Sequence, residues 1–381
     1  MLISLAVVNQ WCFDGPTTQR TFEMQSRYTP LDLEVRDFGD YQLIIDARSP
    51  REFAEDHLPT AVNYPVVDND EYAQVGTLHR SDTHAAYLIG VTHSLRNMAN
   101  WIEQIGQQCS PASRILVYCF RGGKRSKLWS DTLRTIGFKV DVLPGGWKSY
   151  RRWVMSGLEV VPRELIFKVL TGPSGCGKTR LLQAIEQQGG QVLDLEALAT
   201  HRGSLIGAVP ECPQPTQKAF DSALLAKLRS FDVARPVFVE SESKKIGSLR
   251  LPQSLMDSMG SADIVEISAP MPVRLKVWEA DFGHFIQDPA ALMDRIQHLL
   301  PLVGLERIKT WQSLAAAGDV LRIFEQLMAL HYDPAYLRSS KRLFHGRRVS
   351  QPQTIAKFDD QAFYDAAAEL IARHGAPIDV E

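Results

Sequence analysis

The sequence predicts two α/β domains in tandem, each built on a parallel sheet, the second running on into a helical C-terminal part. Three observations carry this. The chain has 381 residues, more than the ~100 to 200 usual for one domain. Strand-like apolar runs alternate with helical-period segments, a pattern that calls for crossover helices and parallel strands. Partway along, a glycine-rich loop joins an apolar strand to an amphipathic helix.

Residues 1–36 form a leader to which no role is assigned; a second methionine, Met24, lies within it. The first domain is expected over 37–155. Its strands read from "YQLIIDAR" (Tyr41 to Arg48), "RILVYC" (Arg114 to Cys119) and "KVDVLPGG" (Lys139 to Gly146), separated by helical segments such as "SLRNMANWIEQI" and "SKLWSDTLRTIG". The stretch "SGLEVVPREL" carries Gly157 and Pro162 with little helical signal, which places a boundary near Val161. The second domain, 162–345, continues with strands at "QVLDLE" (Gln191 to Glu196), "PVFVESE" (Pro236 to Glu242) and "ADIVEIS" (Ala262 to Ser268), then turns helical from Pro272 to Tyr336. Residues 346–381 read as a tail with a polar stretch and one helix.

Composition excludes several classes. With 45% hydrophobic residues, 23% charged residues and a net charge of −2, the chain is not a general nucleic-acid coat, so any RNA contact must be a local patch. The five cysteines are scattered without a C-x-x-C pair, which predicts neither a disulfide framework nor a zinc site and fits a reduced, cytoplasmic setting. The opening MLISLAVV is too short for a secretory core and lacks a basic flank,. No window approaches the ~18 apolar residues of a membrane span.

Gly172-Pro173-Ser174-Gly175-Cys176-Gly177-Lys178-Thr179 matches G-x-x-x-x-G-K-[ST] between strand and helix. Gly172, Gly175 and Gly177 free backbone N–H groups to wrap phosphate, Lys178 adds a point charge, and the Thr179 hydroxyl can hold Mg²⁺. The loop is therefore expected to bind a di- or triphosphate, with Cys176 playing no chemical part. Asp194 and Glu196, and Glu240 and Glu242, lie at strand ends where carboxylates face a ligand crevice and can hold Mg²⁺ or water; solvated strand ends are the alternative. Glu240 is the stronger candidate, because an apolar run delivers it. "THRGS" (Thr200 to Ser204) offers His201 and Arg202 as an anion or RNA contact, or as an ordinary helix end.

"VYCFRGGKRS" places Cys119 at a strand end before Gly122 and Gly123, among Arg121, Lys124 and Arg125. Freed N–H groups and positive charge lower a thiol pKa, so Cys119 reads as a nucleophile in an anion cradle rather than a buried structural cysteine.

"LIIDARSPREFAEDHLPTAVNYP" and "DVLPGGWKSYR" resemble a rhodanese domain, with Asp46 and Arg48 in its D-x-R and Asp56 and Thr60 replacing two turn glycines, a departure expected to affect only local geometry. Cys119 to Arg125 is C-x5-R, one residue longer than the usual rhodanese loop, a spacing shared with rhodanese-like phosphatases. The fold class is thus a rhodanese-like parallel-sheet domain followed by a P-loop NTPase-like α/β domain. This fusion, with "DNDEYAQVGT", "DLEALATHRGSLIG", "VESESKKIG" and "HYDPAY", is similar to the tRNA 2-selenouridine synthase family over about Ile44 to Gly346. The resemblance implies a transferase that S-geranylates a wobble 2-thiouridine of tRNA from geranyl diphosphate, then replaces the geranylthio group with selenium from selenophosphate. It implies no tightly bound cofactor, with Mg²⁺ an optional ion, a tRNA bearing 2-thiouridine as partner, a selenophosphate-supplying enzyme as a further one, and neither membrane nor DNA.

Two basic patches suit RNA: Arg121, Lys124, Arg125 and Lys127, extended by Lys148, Arg151 and Arg152; and Arg338, Lys341, Arg342, Arg347 and Arg348 among Phe344 and His345. Basic residues among aromatics fit phosphate contact and base stacking, with a solvated face as the alternative for the second patch. The competing readings are an ATP-dependent tRNA sulfurtransferase or kinase with a persulfide-carrying Cys119, and a non-catalytic RNA-binding scaffold.

Overall fold

In a computed structural model, residues 38–344 and 349–375 are described, with only the backbone for 339–344. The first domain is a four-stranded parallel sheet of order β2-β1-β3-β4, from β1 (Leu43–Asp46), β2 (Val62–Asn63), β3 (Arg114–Tyr118) and β4 (Lys139–Val142). The short helix α1 (Pro50–Glu55) begins with a capping box between Ser49 and Glu52, which satisfies orphan amides from both sides. A helical hairpin follows, α2 (Asn69–Ser81) and α3 (Thr83–Gln108), before α4 (Lys124–Ile136) and α5 (Gly146–Val160). The expected strand through Gly146 is shorter than the sequence reading. After Val142 the chain turns at Pro144, and Gly145 and Gly146 take φ of 68° and 58° to open α5.

The stretch read as a non-helical linker is helix. Residues of α5 continue through Gly157 to Val160 and into a 3-10 turn at Val161–Glu164. Its last turns belong to both domains: a Cβ on Gly157 would lie 2.7 Å from Leu225, and Ser254 Oγ donates to Leu158 O. One hydrophobic core therefore runs from Ile44, Leu58 and Trp147 through Tyr150, Trp153 and Leu158 to Leu224, Leu225, Leu228 and Leu255.

Asp56 is the polar bolt across this interface, which corrects the expectation that its replacement of a turn glycine matters only locally. Its carboxylate accepts from Trp147 Nε1 at 2.9 Å and from Ser222 Oγ at 2.8 Å. Arg151, 3.7 Å from Asp56, also pairs with Asp221 at 2.8 Å, so Arg151 belongs to the interface and not to an exposed RNA patch. Burial pushes the Asp56 carboxyl up, against the Ser222, Arg151 and Trp147 contacts that hold it ionised.

The second sheet has order β11-β10-β5-β7-β6 and is parallel throughout. Its strands are β5 (Phe167–Thr171), β6 (Gln191–Leu193), β7 (Val237–Glu240), β10 (Asp263–Ser268) and β11 (Gln353–Thr354), with a separate hairpin of β8 (Lys245–Ile246) and β9 (Leu249–Arg250). Crossovers are α6 (Lys178–Gln187), α7 (Leu195–Ala199), α8 (Gln217–Arg229) and α9 (Gln253–Ser261). From β5 the chain leaves toward β6 on one side, while β10 pairs on the other, so the loop after β5 lies at the topological switch point where α/β sheets bind ligands. The helical part comprises α10 (Met271–Phe282), α11 (His284–Gln287), α12 (Pro289–Ile296), α13 (Leu300–Val303), α14 (Leu305–Ala316), α15 (Val320–Leu327), a π turn at Met328–Tyr332 and α16 (Asp333–Phe344). It packs around Trp278, Phe282, Trp311 and Phe324.

Nor is the C-terminal stretch a detached tail. β11 adds the edge strand beside β10, and α17 (Asp360–His374) packs Phe363, Ala367 and Leu370 into the same core as Leu181 and Ile185 of α6. A polar run with a single helix gives no sign in sequence that it completes a sheet. Among the described residues no helix is long and apolar enough to cross a membrane.

Candidate functional site: two anion loops

Cys119 follows β3 directly and is 3% exposed. Its sulfur accepts from the Gly123 amide at 3.2 Å and lies 3.3 Å from Ser126 Oγ. Burial alone would push the thiol up, but the Ser126 hydroxyl and amide, the Arg121 amide and the Arg125 charge outweigh it and bring the thiol below its ordinary range. The loop is braced from behind: Trp147 N donates to Cys119 O at 2.8 Å and Lys148 N to Phe120 O at 3.1 Å. This approach requires glycine at 146, where a Cβ would stand 2.2 Å from Cys119 O and 2.5 Å from Gly122 N, at a φ of 58°,. Behind β1, Arg48 pairs with Asp46 at 2.6 Å and lies over the Trp147 ring.

A cleft of about 400 Å³ opens here, lined by Cys119, Phe120, Arg121, Gly123, Lys124 and Arg125. The cations are not equally available. Arg125 is clamped bidentately by Glu52, at 2.6 and 3.2 Å. Lys124 Nζ stands 3.2 Å from the centroid of the Tyr87 ring, and Lys127 pairs with Asp131 at 3.5 Å. Arg121 is exposed above Phe120. Glu52 and Ser126 escaped the sequence reading. Ser126 was within the quoted motif, whereas Glu52 reaches Arg125 across the fold.

The second loop, after β5, borders a cavity of about 630 Å³ lined by Gly172, Gly175, Gly177, Lys178 and Thr179. Lys178 Nζ donates back to Gly172 O at 3.0 Å, and Thr179 Oγ1 donates to Glu196 Oε2 at 3.2 Å. Three acids gather beside it, with ligand oxygens of Glu196, Glu240 and Glu242 all within 4.8 Å of one another. Burial and then mutual repulsion push the Glu196 carboxyl up to about 8, against the pull of Lys178. Glu240 is raised well above the ordinary range for the same reasons. An all-oxygen set of crowded carboxylates beside a phosphate loop suits a hard divalent cation such as Mg²⁺, which would relieve that repulsion.

Asp194 is not in this group. The strand ends at Leu193, and the Asp194 carboxylate accepts from Ala197 N at 2.8 Å as the N-cap of α7,. Glu196, two residues on, takes the place beside Thr179. His201 is buried and pairs in a bridge with Ala208, whereas Arg202 reaches the P-loop cavity over the Phe282 ring; the His-Arg pair therefore does not act as one patch. Arg338 is exposed on α16, Lys341 and Arg342 are on the same helix, and Arg347 and Arg348 lie outside the described residues.

The cavity has an apolar side made by Val277, Trp278 and Phe282, with Tyr332 and Tyr336 nearby. This wall is tied to the phosphate loop by Arg274, which donates to Ser174 O at 2.8 Å and pairs with Asp333 of "HYDPAY" at 2.5 Å. Arg274 and Asp333 lie 59 residues apart, and nothing local marks them as partners.

Comparison with known proteins agrees with this division. The family described as the tRNA 2-selenouridine synthase AAA domain matches residues 166–298, and the rhodanese-like domain matches residues 33–152. The chain is similar to the tRNA 2-selenouridine synthase of Nitrosomonas europaea, 35% identical over 68% of this chain and 67% of that one. It is similar to that of Nitrosomonas eutropha, 36% identical over 64% and 63%. To that of Shewanella piezotolerans it is 35% identical over 82% of this chain and 94% of the relative. The matched segments thus span about two thirds of the Nitrosomonas relatives and nearly all of the Shewanella one.

Proposed function

Since the chain belongs to the tRNA 2-selenouridine synthase family, a family of tRNA-modifying transferases, we propose that it exchanges sulfur for selenium at a wobble 2-thiouridine in two steps, one at each loop. In the first, the thiocarbonyl sulfur attacks the allylic carbon of geranyl diphosphate; an S–C bond forms, the C–O bond to diphosphate breaks, diphosphate leaves, and the ring N3 proton is released to water. The P-loop amides and Lys178 receive the departing charge, and Trp278 and Phe282 take the hydrocarbon; Glu196, Glu240 and Glu242 would hold a Mg²⁺, which would supply further positive charge there. In the second, selenium of selenophosphate attacks C2 of the pyrimidine, the geranylthiolate departs, and water cleaves the Se–P bond to release phosphate. Alkylation is needed because a thiocarbonyl sulfur leaves poorly and a thiolate leaves well. The selenium step belongs to the Cys119 loop, whose amides and cations suit a small tetrahedral anion and whose thiolate takes the proton of the water that cleaves the Se–P bond.

The observation that carries this reading is the apolar wall of the P-loop cavity beside its phosphate amides, a lining for a diphosphate with a hydrocarbon tail. The test is to incubate the purified chain with thiolated tRNA and analyse the nucleosides by mass spectrometry. With geranyl diphosphate alone, geranylated 2-thiouridine is expected; with selenophosphate added, 2-selenouridine. A product that requires ATP and ignores geranyl diphosphate would favour an ATP-dependent sulfurtransferase.

A further inference from the structure

We propose that the P-loop cavity contains a second anion subsite, in which Arg202, Arg180, Ser204 and Tyr332 receive a phosphodiester of the acceptor RNA. Two buried guanidinium atoms without a hydrogen-bond partner, Arg180 Nε and Arg202 Nη1, belong to residues lining this one cavity, and the hydroxyls of Ser204 and Tyr332, which pair with each other, line it beside them. Buried polar atoms are seldom left unpaired, and two such atoms at a single cavity mark a place where a ligand completes the bonding. With two N–H donors on cations and two hydroxyls, the set fits the oxygens of an anion.

The surroundings hold these groups in position. Arg180 Nη2 donates to Asp281 at 3.1 Å and its guanidinium lies 5.0 Å from the Phe358 ring centroid, while Nε has no partner. The Arg202 guanidinium lies 5.5 Å from the Phe282 ring centroid. Between Arg202 and Ser204, Gly203 presses onto the acids: a Cβ there would stand 2.7 Å from both Glu196 and Glu242. A side chain at 203 would displace those carboxylates and would have to adopt a φ of 63°.

The inference rests on the reading that the P-loop takes the donor diphosphate, whose charge is then already matched by the loop amides, Lys178 and a cation on the acids. A further set of donors is surplus to the donor. The acceptor base must bring its sulfur to the donor carbon in this same cavity, and it carries its own phosphate within one nucleotide's span.

Three variants of the full chain test this: Arg202→Gln, Ser204→Ala and Tyr332→Phe. Each is measured for binding of a thiolated anticodon-arm RNA over a range of salt, for binding of inorganic pyrophosphate with Mg²⁺, and for thermal midpoint. Arg202→Gln is expected to weaken RNA binding by about tenfold and to lower the salt slope by ~0.7 to 0.9, the share of one phosphate contact, with pyrophosphate binding unchanged. Ser204→Ala and Tyr332→Phe are expected to weaken RNA binding, and the thermal midpoint separates that from any loss of fold, since each removes one member of a buried hydroxyl pair,. Unchanged RNA affinity in all three would overturn the subsite. So would an equal loss of pyrophosphate binding, which would give these groups to the donor itself. Lys178→Ala separates the two ideas: if it retains pyrophosphate binding, the donor reading fails whatever Arg202 does.

Discussion

Both anion loops follow a parallel strand and open a helix, β3 into α4 and β5 into α6, yet their electrostatic surroundings are opposite. The Cys119 loop gathers N–H donors and cations around a group of its own that becomes negative, and its pKa is drawn down. The P-loop faces three crowded carboxylates, Glu240 buried and Glu196 and Glu242 half-buried, which burial and, for Glu196 and Glu240, the neighbouring acids push up, with Lys178 folded back onto a carbonyl. The first loop is organised around a charge the protein supplies. The second is arranged to suit an incoming anion together with a cation. Two loops of similar outline are thus suited to different donors, and the shared core and the Asp56 contacts fix them in one body.

The largest test of that contrast is Lys178→Ala. Loss of a preorganised charge at a leaving anion is worth ~2.7 to 4 kcal/mol, or roughly 10² to 10³ in rate, so geranylation should fall by that order. Supplying tRNA already S-geranylated should restore selenation, read as 2-selenouridine by mass spectrometry. Failure of the rescue in folded protein would mean that the P-loop serves both steps.

A smaller effect is expected from Ser126→Ala, which removes the hydroxyl that helps to hold the thiolate. The depressed thiol makes selenation rise as pH climbs through the lowered pKa and level off above it. Without Ser126 that rise should move to higher pH, so the variant is severalfold slower at neutral pH and approaches the parent in alkali. A pH–rate profile that does not move would show that the loop acts without a thiolate.

The smallest concerns Thr60, where the chain carries a β-branched residue at a φ of 61°. Left-handed backbone costs such a residue ~1 to 2 kcal/mol, so Thr60→Gly should raise the denaturant midpoint by an amount corresponding to about 1 kcal/mol, with both reactions unaltered. A change in selenation would connect this turn to the Cys119 loop, which the structure gives no reason to expect.

What could be read in sequence was local. The cradle around Cys119 and the loop from Gly172 to Thr179 are contiguous motifs, and their chemistry follows from residue types at fixed spacing. The alternation of strands and helices likewise gave two parallel sheets. What escaped was assembled across the chain: Glu52 on Arg125, Asp333 on Arg274, Ser222 on Asp56, Phe363 beneath Gly177. Element ends were also misjudged where a side chain took a capping role, as at Asp194, or where a helix tolerated glycine because packing required it, as at Gly157. Apart from the Asp194 cap, a local contact to Ala197, the deciding contact lies tens of residues away, beyond the reach of periodicity and spacing.

The division of labour between the loops is tested most directly by Cys119→Ser, assayed with thiolated tRNA, geranyl diphosphate and selenophosphate together. The oxygen analogue keeps the loop's size and hydrogen bonding but cannot supply a thiolate at neutral pH. The account predicts that S-geranylated tRNA accumulates at the rate of the parent protein while 2-selenouridine falls to background. Loss of both products from a folded variant, or selenation at the parent rate, would contradict it.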